Sequence, residues 1–242
     1  MTTLIKIIVA TILSLTVFSC NFDINLGTGV TGNGKIKTKA RPVTQSFTTI
    51  KASEGLDVYL TQSNIEEIVV EADENLHELI LTDINDGVLK IHTKENIGKA
   101  HSKKVIVSFK DIESIVSTSG SDVYTTNTIT TDYLTLKSTS GSDMKLNVKT
   151  QSLSCKSTSG SDMKISGSTI RLTAEATSGS DIKAADLFAE SSQVKATSGA
   201  DITVNTSKEL IAKASSGGDV KYYGNPEKVE KSDGPSGSVT QK

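Results

Sequence analysis

From residue 113 onward, apolar and polar positions alternate along the chain. A short phrase of small residues interrupts the alternation at a near-fixed interval. It is written six times: Thr118-Ser-Gly-Ser-Asp-Val123, Thr139-Ser-Gly-Ser-Asp-Met144, Thr158-Ser-Gly-Ser-Asp-Met163, Thr177-Ser-Gly-Ser-Asp-Ile182, Thr197-Ser-Gly-Ala-Asp-Ile202 and Ser215-Ser-Gly-Gly-Asp-Val220. The central glycines are residues 120, 141, 160, 179, 199 and 217, so the steps are 21, 19, 19, 20 and 18. A period near twenty residues is the mark of a stacked-repeat architecture. Three positions after each glycine stand Val123, Met144, Met163, Ile182, Ile202 and Val220; five before it stand Ile115, Leu136, Cys155, Ala174, Val194 and Ala212. Seven before it, Leu134, Leu153, Leu172 and Leu210 recur, with Glu113 and Ser192 breaking the column. Apolar positions two apart on both sides of the glycine describe strands, not helices.

Each repeat therefore reads as strand, tight corner at Thr-Ser-Gly, second strand and a looser return. Three residues before the glycine the column is small (Ser117, Ser138, Ser157, Ala176, Ala196, Ala214), as a corner that draws two strands together requires. The glycine suits a turn with positive φ. Repeats stacked strand on strand, about 4.8 Å apart, make an all-β, right-handed parallel β-helix (solenoid) with coils of about 19–20 residues.

The same alignment puts an aspartate two residues past each glycine, on the outward face: Asp122, Asp143, Asp162, Asp181, Asp201 and Asp219. Carboxylates at that spacing repel by roughly 1 kcal/mol per neighbour in water. Three devices can relieve this: Lys145, Lys164, Lys183 and Lys221 on the same face, hydrogen bonds from corner N–H groups and serine hydroxyls, or bound calcium. The dense Gly-Asp nonapeptide of calcium-binding β-rolls is missing, so capping with lysine neutralisation is expected and no metal is assigned. These aspartates are structural corner residues and candidate ligand or ion contacts.

The chain opens with a short basic start, an apolar run from Ile7 to Phe18, then Ser19-Cys20. That run is short for a membrane span and fits a secretory signal peptide over residues 1–19. Cys20 after Val17-Phe18-Ser19 reads as a bacterial lipobox, with Cys20 the lipidated first residue of the mature chain and an outer-membrane lipoprotein the expected destination. An uncleaved anchor, or an ordinary signal peptide with a stray cysteine, is the plainer alternative. Residues 20–42, rich in Gly, Asn, Thr and Lys, read as a flexible tether. Residues 43–112 hold strands without the clean phrase and read as the first coils plus a cap, because an open β-helix end is an exposed edge. Ser53-Glu-Gly-Leu-Asp-Val58 is a worn copy of the repeat, Asn85-Asp-Gly87 a hairpin-type turn, and Glu74–Leu81 one helical turn or a loop. Repeat coils fill residues 113–226. The register is expected to stop at Pro226, leaving a disordered tail at 227–242.

Composition changes little. A net charge of −2 implies no nucleic-acid partner. Besides Cys20 only Cys155 remains, in an inward column, as a small core residue. His77, His92 and His101 are scattered outside the repeats, where an isolated histidine is ordinarily polar surface. No nucleophile elbow, phosphate loop or metal-binding Cys/His spacing occurs. A residue that one catalytic site required would appear once, whereas these carboxylates appear in every coil; no catalytic residue, and no cofactor, is expected. Trp is absent, and Tyr124, Tyr133, Tyr222 and Tyr223 read as sheet-face or end-cap residues.

The lipobox, Phe47-Thr-Thr-Ile50 followed by Gly55-Leu-Asp-Val58, Asp86-Gly-Val-Leu-Lys-Ile91, the Ser-Gly-Ser-Asp repeats and the Tyr-Gly-Asn-Pro ending resemble the auto-transporter adhesin head, or GIN, domain family over residues 43–226. The resemblance implies export to the cell envelope and a β-helical fold, and carries over no catalytic residue. The expected role is a lipid-anchored, non-catalytic, adhesin-like module presenting Thr/Ser/Asp ladders to a glycan or envelope protein. A structural lipoprotein without ligand, or a polysaccharide-active enzyme, are the alternatives.

Overall fold

Alternating burial runs along every repeat strand. In the coil from Asp143 to Thr158 the side chains of Met144, Leu146, Val148 and Thr150 point in, then Leu153, Cys155 and Ser157. Parity switches at Gln151-Ser152, where two successive side chains point out; across the Thr-Ser-Gly corner three residues separate the inward Ser157 and Ser161, and parity is kept. Each coil is thus a flattened loop with two sheet faces and two corners. The expected looser return is instead a bend within one continuous strand, because backbone pairing with the coils above and below continues around it.

The structure, a computed structural model, describes residues 29–242. The signal segment, Cys20 and the first part of the tether lie outside the described residues. Strands β1 (Ile36–Arg41), β2 (Thr49–Ala52), β3 (Asp57–Gln62), β4 (Glu67–Asp73), β5 (Ile80–Asn85), β6 (Val88–Thr93) and β7 (Lys103–Phe109) build the N-terminal end. Then come β8 (Ser114–Ser117), β9 (Asp122–Thr125), β10 (Ile129–Thr139), β11 (Asp143–Thr158), β12 (Asp162–Thr177), β13 (Asp181–Thr197), β14 (Asp201–Ser215), β15 (Asp219–Tyr223), β16 (Lys228–Asp233) and β17 (Ser238–Gln241). Together they form a parallel β-helix of about seven turns, with coils about 19 residues apart. One core of buried apolar residues runs its length, from Ile68 and Ile80 in the closing strands β4 and β5 to Tyr222 and Val239 at the other end.

The coils do not stack in chain order at the N-terminal end. β2 lies between β6 and β8, and β3 between β7 and β9, all parallel. The coil β2–β3 is therefore laid down first and flanked later on both sides. β4 and β5 turn antiparallel to β7 and β6 and close the end, joined by a single 3-10 turn at Glu74–Leu76.

Two expectations need correction. The tether is ordered from residue 29: β1 pairs antiparallel with the outer edge of β4, and Val30 bridges Ile97. Its glycines serve close approach rather than flexibility, for a Cβ on Gly32 would stand 1.7 Å from the Asp73 carboxylate. The register also continues past Pro226. β16 pairs with β14 and β17 with β15, completing a last coil from residues expected to be disordered. Charge at this end protects an edge rather than marking disorder. β16 carries Lys228 bonded to Glu209 and Glu230, each at 2.8 Å. Lys231 continues the column of Ala212 and lies 4.9 Å over the Tyr222 ring, covering the core's open end. β1 likewise carries Lys37, Lys39 and Arg41 on its exposed edge.

Candidate functional site

The repeated corner is a turn in which two successive residues have positive φ. Ser159 and Gly160 stand at 58° and 68°, and the other copies agree to within about ten degrees; Glu54 and Gly55 in β2–β3 do the same at 65° and 70°. Such a pair makes a type I′ turn. The glycine was legible as a turn residue; the serine before it was not, since nothing in its chemistry asks for the left-handed region. Stacking supplies what holds it there. The Gly120 N–H donates to the Ser140 carbonyl, Gly141 to Ser159, Gly160 to Ser178 and Gly179 to Ser198, at 3.1–3.2 Å. Inside the corner, Ser117 and Ser121 hydroxyls lie 2.8 Å apart, and Ser121 donates to the Thr118 carbonyl. Ser138 with Ser142 and Ser157 with Ser161 repeat this arrangement.

The six predicted aspartates stand in one row. Asp122, Asp143, Asp162, Asp181, Asp201 and Asp219 are successive register partners, Asp57 extends the row beyond Asp122, and Lys104 and Ser238 occupy its two ends. Relief comes partly as expected. Lys183 Nζ bonds Asp162 at 3.1 Å and Asp181 at 3.2 Å, and Lys221 lies 3.9 Å from Asp201. The capping half of the expectation is corrected: corner N–H groups and serine hydroxyls go to backbone carbonyls and to one another. Asp122 instead accepts from the Tyr124 hydroxyl at 3.3 Å, and Asp219 from Ser238 at 2.6 Å. Asp143 has neither, and burial together with Asp122 and Asp162 on either side pushes its carboxyl above the usual range. Among the described residues no group of three or more His, Cys, Asp or Glu is placed to hold a metal ion.

Beside the aspartates runs a second outward column: Tyr59, Tyr124, Lys145, Lys164, Lys183, Thr203, Lys221. Tyr59 and Tyr124 stack with ring centroids 5.2 Å apart and planes 25° apart. Burial, then the Asp122 charge, pushes the Tyr124 hydroxyl up to about 12.

A broad concavity lies at the other corner. A trough of about 840 Å³ runs across four coils, roughly 14 Å along the axis at 4.8 Å per coil. Its floor is the row Thr131, Thr150, Thr169, with the Thr150 hydroxyl donating to Thr169 at 2.9 Å. Lys149, Ser168 and Phe188 form one wall; Asp132, Gln151, Ile170 and Glu190 form the other. Gln151 donates to Asp132 at 2.9 Å. Phe188 is 67% exposed and Ile170 41%. Phe188 stands in register with Ser168 and Lys149, so it replaces a small or polar residue. The sequence signal was the 20-residue step between Gly179 and Gly199: the extra residue bulges β13 ahead of Phe188, burying Leu187 and turning Phe188 outward.

The remaining candidates are structural. Cys155 is buried between Leu136 and Ala174, and burial pushes its thiol far up. His92 bonds Asp83 at 2.8 Å. His77, expected on the surface, is 1% exposed beneath the cap. No helix among the described residues is long and apolar enough to cross a membrane.

Comparison with known structures gives the same architecture. The chain is similar to a "putative adhesin" of Bacteroides fragilis, at 22% identity and TM-score 0.82, covering 88% of this chain and all of that one. It is similar to a "putative lipid binding protein" of Parabacteroides distasonis, at 20% identity and TM-score 0.73, covering 88% and 99%. A "putative adhesin" of Parabacteroides merdae stands at 21% and 0.70, covering 88% and 98%. At these identities the likeness concerns the fold alone. No curated protein matches the chain. The family model described as "Putative auto-transporter adhesin, head GIN domain" matches residues 46–226, so the chain belongs to that family.

Proposed function

We propose that the protein is a lipid-anchored, non-catalytic binding module of the cell envelope, which holds an extended glycan in the trough at the second corner. The observation that carries this is the exposed Phe188 and Ile170 above a polar floor. Single exposed apolar side chains are ordinary, but two large ones exposed together in one polar-rimmed groove mark a binding site, and an aromatic face suits the apolar face of a sugar ring. The walls supply hydroxyls, an amide, a lysine and carboxylates, which suit a ligand rich in hydroxyl groups. The trough follows the stacking axis, so each coil offers a similar set of polar groups to successive units of a linear polymer. The Cys20 lipobox and the apolar run before it support the anchor and an outer-membrane address.

The test is a glycan array probed with soluble residues 21–242, followed by titration of the best glycan. Phe188→Ala is expected to weaken binding about tenfold, the value of roughly one stacking contact, without changing thermal stability. Retention of full affinity by Phe188→Ala and by Ile170→Ser would sink the assignment of the trough. Labelling of cells with a palmitate analogue, lost in Cys20→Ala, tests the anchor separately.

A further inference from the structure

The face that carries the aspartate row holds a second, smaller concavity that the trough does not involve. It is a groove of about 310 Å³ lined by Tyr59, Tyr124, Lys145, Asn147, Lys164 and Ser166, with Thr125, Thr126 and Leu146 completing it. From its chemistry we infer that this groove is a binding site for a sugar ring that carries a carboxylate.

The column of outward residues explains the shape. One face of Tyr124 is stacked on Tyr59. Its register neighbour on the opposite side is Lys145, so the ladder of rings ends at Tyr124 and the next storey begins with a cation. A flat ring laid against Tyr124 continues the stack by one storey. The apolar face of a pyranose is suited to that position.

The charge is the second observation. Lys145 and Lys164 are exposed register partners, and neither has an acidic group within 4 Å among the described residues. The other lysines of the same outward column, Lys183 and Lys221, do. No aspartate or glutamate lines the groove. In the row beside the groove, Asp122 is engaged by the Tyr124 hydroxyl and Asp162 by Lys183, and Asp143 stands between them. Two ammonium groups on adjacent storeys repel, and an anion between them removes that cost. The third observation concerns hydroxyl partners. The Asn147 amide donates to Ser166 at 3.1 Å and its oxygen accepts from Thr128 at 2.8 Å, which fixes the amide beside the cations. Ring platform, paired cations and oriented neutral polar groups together match a ring, a carboxylate and hydroxyls.

This site is separate from the trough, and its test keeps the two apart. Soluble residues 21–242 are titrated by calorimetry with oligogalacturonate, hyaluronan oligosaccharide, sialyllactose and a neutral dextran oligosaccharide. At least one acidic ligand is expected to bind, weakening as sodium chloride rises, while dextran does not compete for the same site. Lys145→Gln with Lys164→Gln, both exposed and safe for folding, is expected to lower acidic-sugar affinity tenfold or more, and Tyr124→Ala comparably. Phe188→Ala is expected to leave it unchanged. The proposal is overturned if no acidic ligand binds, if the double lysine variant binds as well as the parent, or if Phe188→Ala rather than Tyr124→Ala abolishes binding. The last result would move the acidic sugar to the trough and leave the general binding role standing. Which acidic ligand binds distinguishes a uronate polymer from a sialylated one.

Discussion

Asp57 and Asp122 are register partners on adjacent coils, although strands β4 to β8 lie between them in the chain. The row they begin runs through Asp143, Asp162 and Asp181 with a carboxylate on every storey. Asp143 is its least relieved member, raised by burial and by Asp122 and Asp162. A raised folded value means that the folded state prefers the protonated acid. Its favourable contribution is present at low pH and is lost as pH rises through the folded value. At pH 7, Asp143→Asn is therefore expected to stabilise the protein, by about 0.5 kcal/mol after solvent screening. Urea unfolding at low and high salt checks this: the gain should shrink at 1 M salt and vanish near pH 3.

The repeated corner gives a prediction about the backbone. Gly160 has φ 68° and open space where a Cβ would stand, so any cost of Gly160→Ala comes from conformation rather than collision. The expected loss is about 1–2 kcal/mol, with Gly160→Asn milder because asparagine tolerates the left-handed region. Ser159 already occupies that region at 58°, so Ser159→Gly is expected to be neutral or slightly stabilising, strain relief offsetting the extra unfolded-state entropy. Thermal unfolding of the three variants ranks them; a Ser159→Gly loss as large as that of Gly160→Ala would show that the serine hydroxyl, not its backbone, holds the corner.

These positions show what the sequence could disclose. Columns such as Met144–Met163 and Asp143–Asp162 were legible because repetition restates each environment several times. Ser159 hid its backbone state because serine rarely adopts it, and only the stack compels it. The insertion of β2–β3 between later strands, and the ordering of Ile36–Arg41, were not legible because each end occurs once. There a glycine-rich, charged stretch has the composition of a linker whether or not a partner edge exists. Phe188 announced itself only as a break in period.

Asp73 explains how that N-terminal stretch is held. Its buried carboxylate accepts backbone N–H groups from Gly34 at 3.3 Å, His101 at 3.2 Å and Ser102 at 3.4 Å. These bonds, against the opposing effect of burial, hold the carboxyl below its usual value. Two chain segments thus meet at one side chain. Asp73→Ala is expected to free residues 29–42 while the repeat coils stay folded. Limited proteolysis should then cut among Lys35, Lys37 and Lys39, with hydrogen exchange rising in β1 and unchanged in β12. Equal loosening at both places would show the cap and coils to be one cooperative unit.

His77 makes the cap sensitive to mild acid. Its Nε2 lies 3.0 Å from the Lys37 carbonyl, so Nε2 carries the proton, and Nδ1 is buried without a partner. Burial, aided by the charges of Lys39 and Arg41, lowers its basicity. The folded state therefore favours neutral imidazole, while the unfolded chain takes up a proton near pH 6.5. The stabilising contribution is complete above that value and is lost as pH falls below it. Glu54, Glu71 and Asp73 also have lowered folded values, but they begin to cost stability only near the ordinary carboxylate range, so the two effects occupy different windows. The urea midpoint should decline between pH 6.5 and 5, and His77→Gln should flatten that interval while keeping the steeper fall below pH 4.5. A decline between pH 6.5 and 5 that is unchanged in His77→Gln would assign the acid response to another group.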